Sequence, residues 1–248
     1  MAGALGWLVY RGAVGFGYSW QWYRVPEYFY REIDGELIWG PLVLGLIETC
    51  RISAVAFVLT LVIGLVTALL QRSGSLAGAG LARAYVEIIR NTPLLVQLYL
   101  FYFVLSPIIG TSRWWTGVLC LAAFEGAFAA EIFRAGIGSV PRGQWEAGEA
   151  VGLGRLDLYR DVILPQAVRL MLPPFTNLAV SLVKHSAIVS VIALTELTTQ
   201  GRNIISDTFM SFEIWFTVAG LYLILTLSMS LLADRLERRF RVDRGQGA

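Results

Sequence analysis

The chain has 248 residues, of which 56% are hydrophobic and 15% charged, with a mean hydropathy of +0.62. Soluble domains carry about 25% charged residues, so this composition excludes an ordinary water-soluble protein and indicates an integral membrane protein. A net charge of +2 excludes a nucleic-acid footprint, and one histidine with two scattered cysteines, Cys50 and Cys120, excludes a zinc or haem site.

The first residues, MAGALGWLVYRGAVGFG, lack the basic n-region of a cleavable signal peptide. The first spanning helix is therefore expected to act as the insertion signal. Residues 1–19 are Gly-rich and interrupted by Arg11, and read either as tail or as an extra span or re-entrant segment. WQWYRVPEYFYREIDGE, residues 20–36, mixes aromatics with both charges and suits the outer membrane interface. The expected division is an extracytoplasmic or interfacial tail over 1–36, a transmembrane domain over 37–240 and a cytoplasmic tail over 241–248.

A spanning helix needs ~20 mainly apolar residues. Five segments qualify: Ile52 to Leu70, starting near Gly40; Pro93 to Gly110, starting before Pro93; Trp114 to Phe133; Phe175 to Leu197; and Phe212 to Ala233. The chain is thus expected to be an all-α polytopic membrane protein. Loop arginines orient it. Arg72, Arg83 and Arg90 follow the first span. Arg134, Arg142, Arg155, Arg160 and Arg169 lie between the third and fourth, and Arg235, Arg238, Arg239, Arg241 and Arg244 follow the fifth. The opposite loops carry only Arg113 and Arg202. The expected topology is N-terminus out and C-terminus in.

Three Glu/Arg pairs stand three residues apart, Glu48/Arg51, Glu87/Arg90 and Glu131/Arg134, as neighbours on one helix face. Interfacial pairing explains Glu87/Arg90. Glu131, with Glu125 six residues before it, reads either as a structural partner of Arg134 or as a substrate or gate group, because intramembrane charges usually face a protein interior or an aqueous path.

The segment 141–173 between spans three and four is too long for a plain connection. GQWEAGEAV is an amphipathic helix with Glu146 and Glu149 exposed. Gly152 and Gly154 permit a sharp turn, and RLDLYRDVIL restarts a helix that ends or passes near Pro165. Glu146-Ala147-Gly148, then Gly152 after three residues, then Val162-Ile163-Leu164-Pro165 after nine more, resembles the EAA signature of ABC importer permeases, E-A-A, three residues, G, nine residues, I-x-L-P. Gly148 replaces an alanine and Val162 an isoleucine. RNTPLLVQLYLFYF, FEGAFAAEIFRAGI, GQWEA, ILPQAVRLMLPP and SAIVSVIALTELT further resemble the polar amino-acid uptake permeases of the histidine/glutamine/arginine type, in order over roughly residues 40–240.

The resemblance implies a type I ABC importer permease fold and a transport subunit that is not itself an enzyme. Independently, the sole lysine, Lys184, has no preceding glycine-rich loop, so no P-loop exists here. No cofactor is expected in this chain, with ATP and Mg bound by a partner ATPase dimer. The other implied partners are an external substrate-binding protein, a second permease subunit (the same chain or a paralogue) and the bilayer. Glu146, Ala147, Gly148, Glu149, Gly152, Leu164 and Pro165 would couple to the ATPase, with Gly152 allowing close backbone approach. An amino acid needs polar groups of both signs. Glu131 for its ammonium, Lys184 for its carboxylate, and Gln97, Thr92, His185 and Ser186 are the candidate pathway residues. Gln97 and Ser186 read equally as interhelical packing groups. Relatives carry aspartate or asparagine where His185 stands, and its histidine points to polar or acidic cargo over lysine or arginine. The alternative reading of the intramembrane charges is a secondary transporter or channel.

Overall fold

The computed structural model describes residue 7, residues 18–33 and residues 35–240. The readings of residues 1–17 and of the tail 241–248 fall outside the described residues, Trp7 excepted. A 3₁₀ helix, Trp22–Tyr28, leads into an antiparallel hairpin of β1 (Tyr30–Ile33) and β2 (Glu36–Trp39), with Tyr30 opposite Trp39. These strands carry no periodic signal, because neither YREI nor ELIW alternates polar with apolar residues. Gly40 then donates its N–H to the Phe29 carbonyl at 2.8 Å. A Cβ on Gly40 would overlap the Tyr28 carbonyl, so only glycine lets the hairpin fold back onto the start of helix α1 (Pro41–Gln71). Pro41 suits that first helical position, where no N–H is needed.

Helix α1, 31 residues, is about 46 Å long and exceeds the ~30 Å hydrocarbon core. Helix α2 (Leu76–Arg90) follows, with the Ser75 hydroxyl accepting from the Gly78 N–H at 3.2 Å as its N-cap. Helix α3 (Leu94–Ile109), which holds a π turn over Leu100–Leu105, leaves α2 at 109°. The second span, expected over Pro93 to Gly110 with a start before Pro93, is therefore one arm of a bent pair whose helix begins at Leu94. Pro93 has no N–H and drives Thr92 out of helical geometry. Side chains take up the orphaned carbonyls. Gln97 Nε2 donates to Ile89 O at 2.8 Å and Thr92 O at 3.0 Å, Thr92 Oγ1 to Ile88 O at 2.6 Å, and Asn91 Nδ2 to Glu87 O at 2.8 Å.

Helix α4 (Arg113–Gly138) packs along α1. A Cβ on Gly64 of α1 would lie 2.5 Å from Ala129 Cβ and 3.0 Å from the backbone of Ala129 and Ala130. Small residues on both helices bring the backbones this close. The short helix α5 (Arg142–Ala150) precedes α6 (Arg155–Ile192), continuous through a π turn at Leu158–Ile163 and a terminal 3₁₀ turn at Ala187–Ile192. The fourth span thus starts at Arg155, not Phe175, and stops at Ile192, not Leu197. The π turn widens the helix just before Pro165, which has no N–H to return. Ala193, at φ 53°, ends it. Leu197 instead opens α7 (Leu197–Thr208), unread in the sequence because LTTQGRNIISDT has too little apolar length to span. Helix α8 (Ser211–Phe240) closes the described chain.

Four helices, α1, α4, α6 and α8, are long and apolar enough to cross a membrane, and the α2–α3 pair is a fifth, broken crossing or a re-entrant loop. One core joins α1, α3, α4 and α6 around Ile52, Leu98, Leu121 and Leu182. Another seats the 3₁₀ helix, α7 and α8 on α1 around Leu42, Leu197, Met210 and Ile214.

Candidate functional site: a coupling hairpin and a charged cleft

Helix α5 is amphipathic in place. Glu146, Ala147 and Glu149 face outward, while Gly148 is buried against α6. A Cβ on Gly148 would overlap Cδ1 of the Leu158 side chain. Trp145 meets Tyr159 edge-to-face at 5.2 Å, and Gln166 Nε2 reaches Gln144 Oε1 at 3.1 Å. Ile163 is fully buried in the cluster that joins α5, α6 and the end of α4. Leu164 and Pro165 are exposed on α6. The Arg142–Glu146 ion pair, 3.0 Å, is exposed and adds little stability.

The two glycine roles differ from expectation. A Cβ on Gly152 would meet no heavy atom within 4 Å, but the residue's φ is +80°, so the left-handed backbone demands glycine there, and not a close approach. The close approach belongs to Gly148. Gly154 is extended, at φ −64° and ψ 157°, and starts α6. Leu153 N–H bonds to Gly148 O at 3.1 Å across the turn. The result is a stiff helical hairpin whose second arm is the spanning helix itself.

Further along α6 lies a cleft of about 380 Å³ against α4, lined by Glu125, Glu131, Asn177, Ser181 and His185, with Arg90 at one side. His185 Nδ1 sits 2.5 Å from Glu125 Oε1, and Glu125 is 2% exposed. The imidazole edge also meets the Phe124 ring, 5.7 Å away at 88°. Glu131 is paired with Arg134 at 2.5 Å and with Arg90 at 4.0 Å. Glu87 instead accepts from Asn91 Nδ2 at 3.2 Å, so the expected Glu87/Arg90 pair gives way to Arg90 reaching across to α4. Glu48 does hold Arg51, at 3.6 Å.

Of the six pathway residues read from the sequence, the cleft gathers His185 and Glu131. Gln97 and Thr92 cap the α2 end instead, and the buried Ser186 hydroxyl donates to Val183 O at 2.7 Å within its own helix. Lys184 is exposed and is not among the cleft's lining residues. The cleft adds Glu125, Asn177, Ser181 and Arg90, which sequence reasoning did not assign to it. Their signal was present: Asn177, Ser181 and His185 recur every four residues, one face of a helix. It required knowing that α6 is continuous through Pro173 and Pro174.

The family model for the binding-protein-dependent transport system inner membrane component matches residues 60–242. Over 218 residues the chain is 38% identical to the glutamine transport system permease protein GlnP of Escherichia coli K12, covering 85% of this chain and 99% of that one. It is 37% identical over 166 residues to the octopine transport system permease protein OccM of Rhizobium radiobacter, covering 63% and 68%. A crystal structure of an amino acid ABC transporter with histidines is similar at a TM-score of 0.75 and 38% identity, covering 80% of this chain and 94% of that chain. The inward-facing MetNI methionine ABC transporter, at TM-score 0.68 and 24% identity over 81% of this chain and 96% of that one, shares the fold. With its broken second span, helical hairpin and long α6, the chain has the type I ABC importer permease fold and belongs to the family of inner membrane components of binding-protein-dependent transport systems.

Proposed function

We propose that the chain is the permease subunit of an ATP-driven importer for a neutral polar amino acid, with the cleft as its pathway and α5 as the contact to a separate ATPase. The seating of α5 on α6 is the observation that carries this reading. Arg155–Ser186 spans about 47 Å of helix, so a displacement of the exposed acidic face of α5 is delivered along one rigid element to His185 in the cleft. Packed helices switching between discrete arrangements would give alternating access. ATP and Mg belong to the ATPase dimer, and a substrate-binding protein would deliver cargo to the outer face. A second permease subunit would complete the cleft's open side. The arginine bias of the loops supports a C-terminus inside and an N-terminal aromatic segment outside.

The cargo class follows from the pairing of His185. Its imidazole occupies Glu125 at 2.5 Å, so the deepest carboxylate of the cleft is already engaged by a group of this chain. A cationic side chain would have to displace that imidazole from the buried carboxylate to reach it. Glutamine, the cargo in the name of the E. coli relative, offers a neutral amide that does not compete for that carboxylate as a cation would. Competition uptake into vesicles carrying the full transporter is expected to show glutamine-type cargo preferred over arginine. His185→Asp should shift that preference toward arginine by about tenfold, the scale of one charge-assisted contact. Arginine as the preferred wild-type cargo, unchanged in His185→Asp, contradicts this assignment.

A further inference from the structure

Two clefts meet at a single ion pair. The cleft that holds His185 shares Arg90 and Glu131, and no other lining residue, with a neighbouring cleft of about 330 Å³ walled by Arg72, Arg83, Glu87 and Arg134. The second cleft lies on the arginine-rich side assigned to the cytoplasm. Four guanidiniums face two carboxylates there, and Arg72 and Arg83 form no ion pair among the described residues. This is a cationic vestibule, suited to a departing carboxylate.

The two members of the dividing pair are held differently. Glu131 is fixed by Arg134 on its own helix at 2.5 Å, whatever α2 does. Arg90 reaches Glu131 at 4.0 Å, the outer limit of an ion pair, and lies over the Phe128 ring at 5.5 Å. Arg90 is also the last residue of α2, directly before the 109° break. The body of α2 packs on α4 through Val86 and through the Tyr85 hydroxyl, which donates to Ala123 O at 2.5 Å, so what is left to move is the Arg90 side chain at the end of that helix.

We infer that Arg90 is the cytoplasmic gate of the cleft: held over Phe128 against Glu131 it closes the way to the vestibule, and at the end of α2 it swings off Glu131 to let cargo out. This rests on the reading of the chain as an importer with the cleft as its pathway. Hinge motion at a helix terminus is the ordinary source of such displacements, and one long ion pair is weak enough to be broken in every cycle.

The test uses the full transporter in inside-out vesicles, with Cys50→Ala and Cys120→Ala as background and Ser181→Cys as a reporter in the cleft. A membrane-impermeant cationic methanethiosulfonate is added at the cytoplasmic face, with and without ATP and vanadate. In the parent, labelling should be slow in the trapped state and about tenfold faster without nucleotide. Arg90→Gln and Glu131→Gln should each label fast in both states, while Arg90→Lys keeps the protection. Equal state dependence in Arg90→Gln, Glu131→Gln and the parent overturns the gate. The two neutralising variants act from different helices, so misassembly of one leaves the other to decide. Absence of ATP-driven uptake by the wild-type transporter would instead overturn the importer reading, which the labelling rates do not address.

Discussion

Replacing Glu196 with alanine is expected to lower the stability of the subunit by about 3 kcal/mol. The Glu196 carboxylate is fully buried. It accepts from Thr198 N–H and Thr199 N–H at 2.8 Å each, from Thr199 Oγ1 at 3.1 Å and from the Tyr222 hydroxyl at 2.8 Å. It therefore caps α7 and ties that helix to α8. Loss of a cap costs ~1 kcal/mol, and the buried Thr199 amide left without a partner adds ~1–3 kcal/mol, whereas the Tyr222 hydroxyl keeps Thr198 Oγ1 at 3.1 Å. Thermal unfolding in detergent should show the drop, with Glu196→Gln intermediate because its amide oxygen keeps the α7 cap. A Glu196→Ala midpoint equal to wild type would show that the cap contributes nothing. Burial also pushes the Glu196 carboxyl above the usual carboxylate range, against the pull of its hydrogen bonds. Its stabilising share is thus complete below the ordinary Glu pKa of ~4.3 and declines as pH rises through the raised folded value. Glu196→Gln should remove that decline.

The largest functional loss is expected at the coupling hairpin. Gly152→Val puts a β-branched residue at φ +80°, where an L-residue costs about 1–2 kcal/mol, or about tenfold in the population of the correct turn. Gly148→Leu collides with Leu158 and must lift α5 off α6. Both variants should still insert and retain cargo preference, because the cleft lies elsewhere on α6, but ATP-driven uptake should fall by about tenfold or more. The discriminating comparison is Gly148→Ala, the residue of the resembled signature. There only the flexible end of Leu158 has to turn aside, and uptake should fall by less than in Gly148→Leu. Wild-type uptake in Gly152→Val would show that the turn geometry is not what transmits motion.

Much of the architecture was legible because its signals are one-dimensional. Apolar length marks α1, α4 and α8, arginine bias marks the loops, and the spacing Glu146–Gly152–Pro165 marks the hairpin. The departures share a cause, which is that proline and hydrogen bonding act in three dimensions. Pro93 breaks the second crossing directly after the polar run Arg90-Asn91-Thr92, whereas Pro165, Pro173 and Pro174 leave α6 whole because a π turn absorbs the first of them. The same ambiguity hid the cleft. His185 and Glu131 stood out as rare charges, but Glu125 became the partner of His185 only when α4 and α6 were packed together. Gln97 and Thr92 looked like pathway groups because they are polar in an apolar run. In space they satisfy the end of α2, a requirement created by the break that the sequence did not reveal. The β hairpin left no periodic trace at all.

The central claim is that this chain converts a partner's ATP hydrolysis into movement of an amino acid through the cleft of His185 and Glu125. Its most direct measurement is uptake of labelled glutamine into vesicles that contain this chain, its ATPase partner and the binding protein, with ATP at the cytoplasmic face. Uptake should require both ATP and the ATPase partner, and should fall by about tenfold or more in Gly152→Val while ATPase binding persists. Uptake by this chain alone, driven by an ion gradient without ATP, would contradict the account.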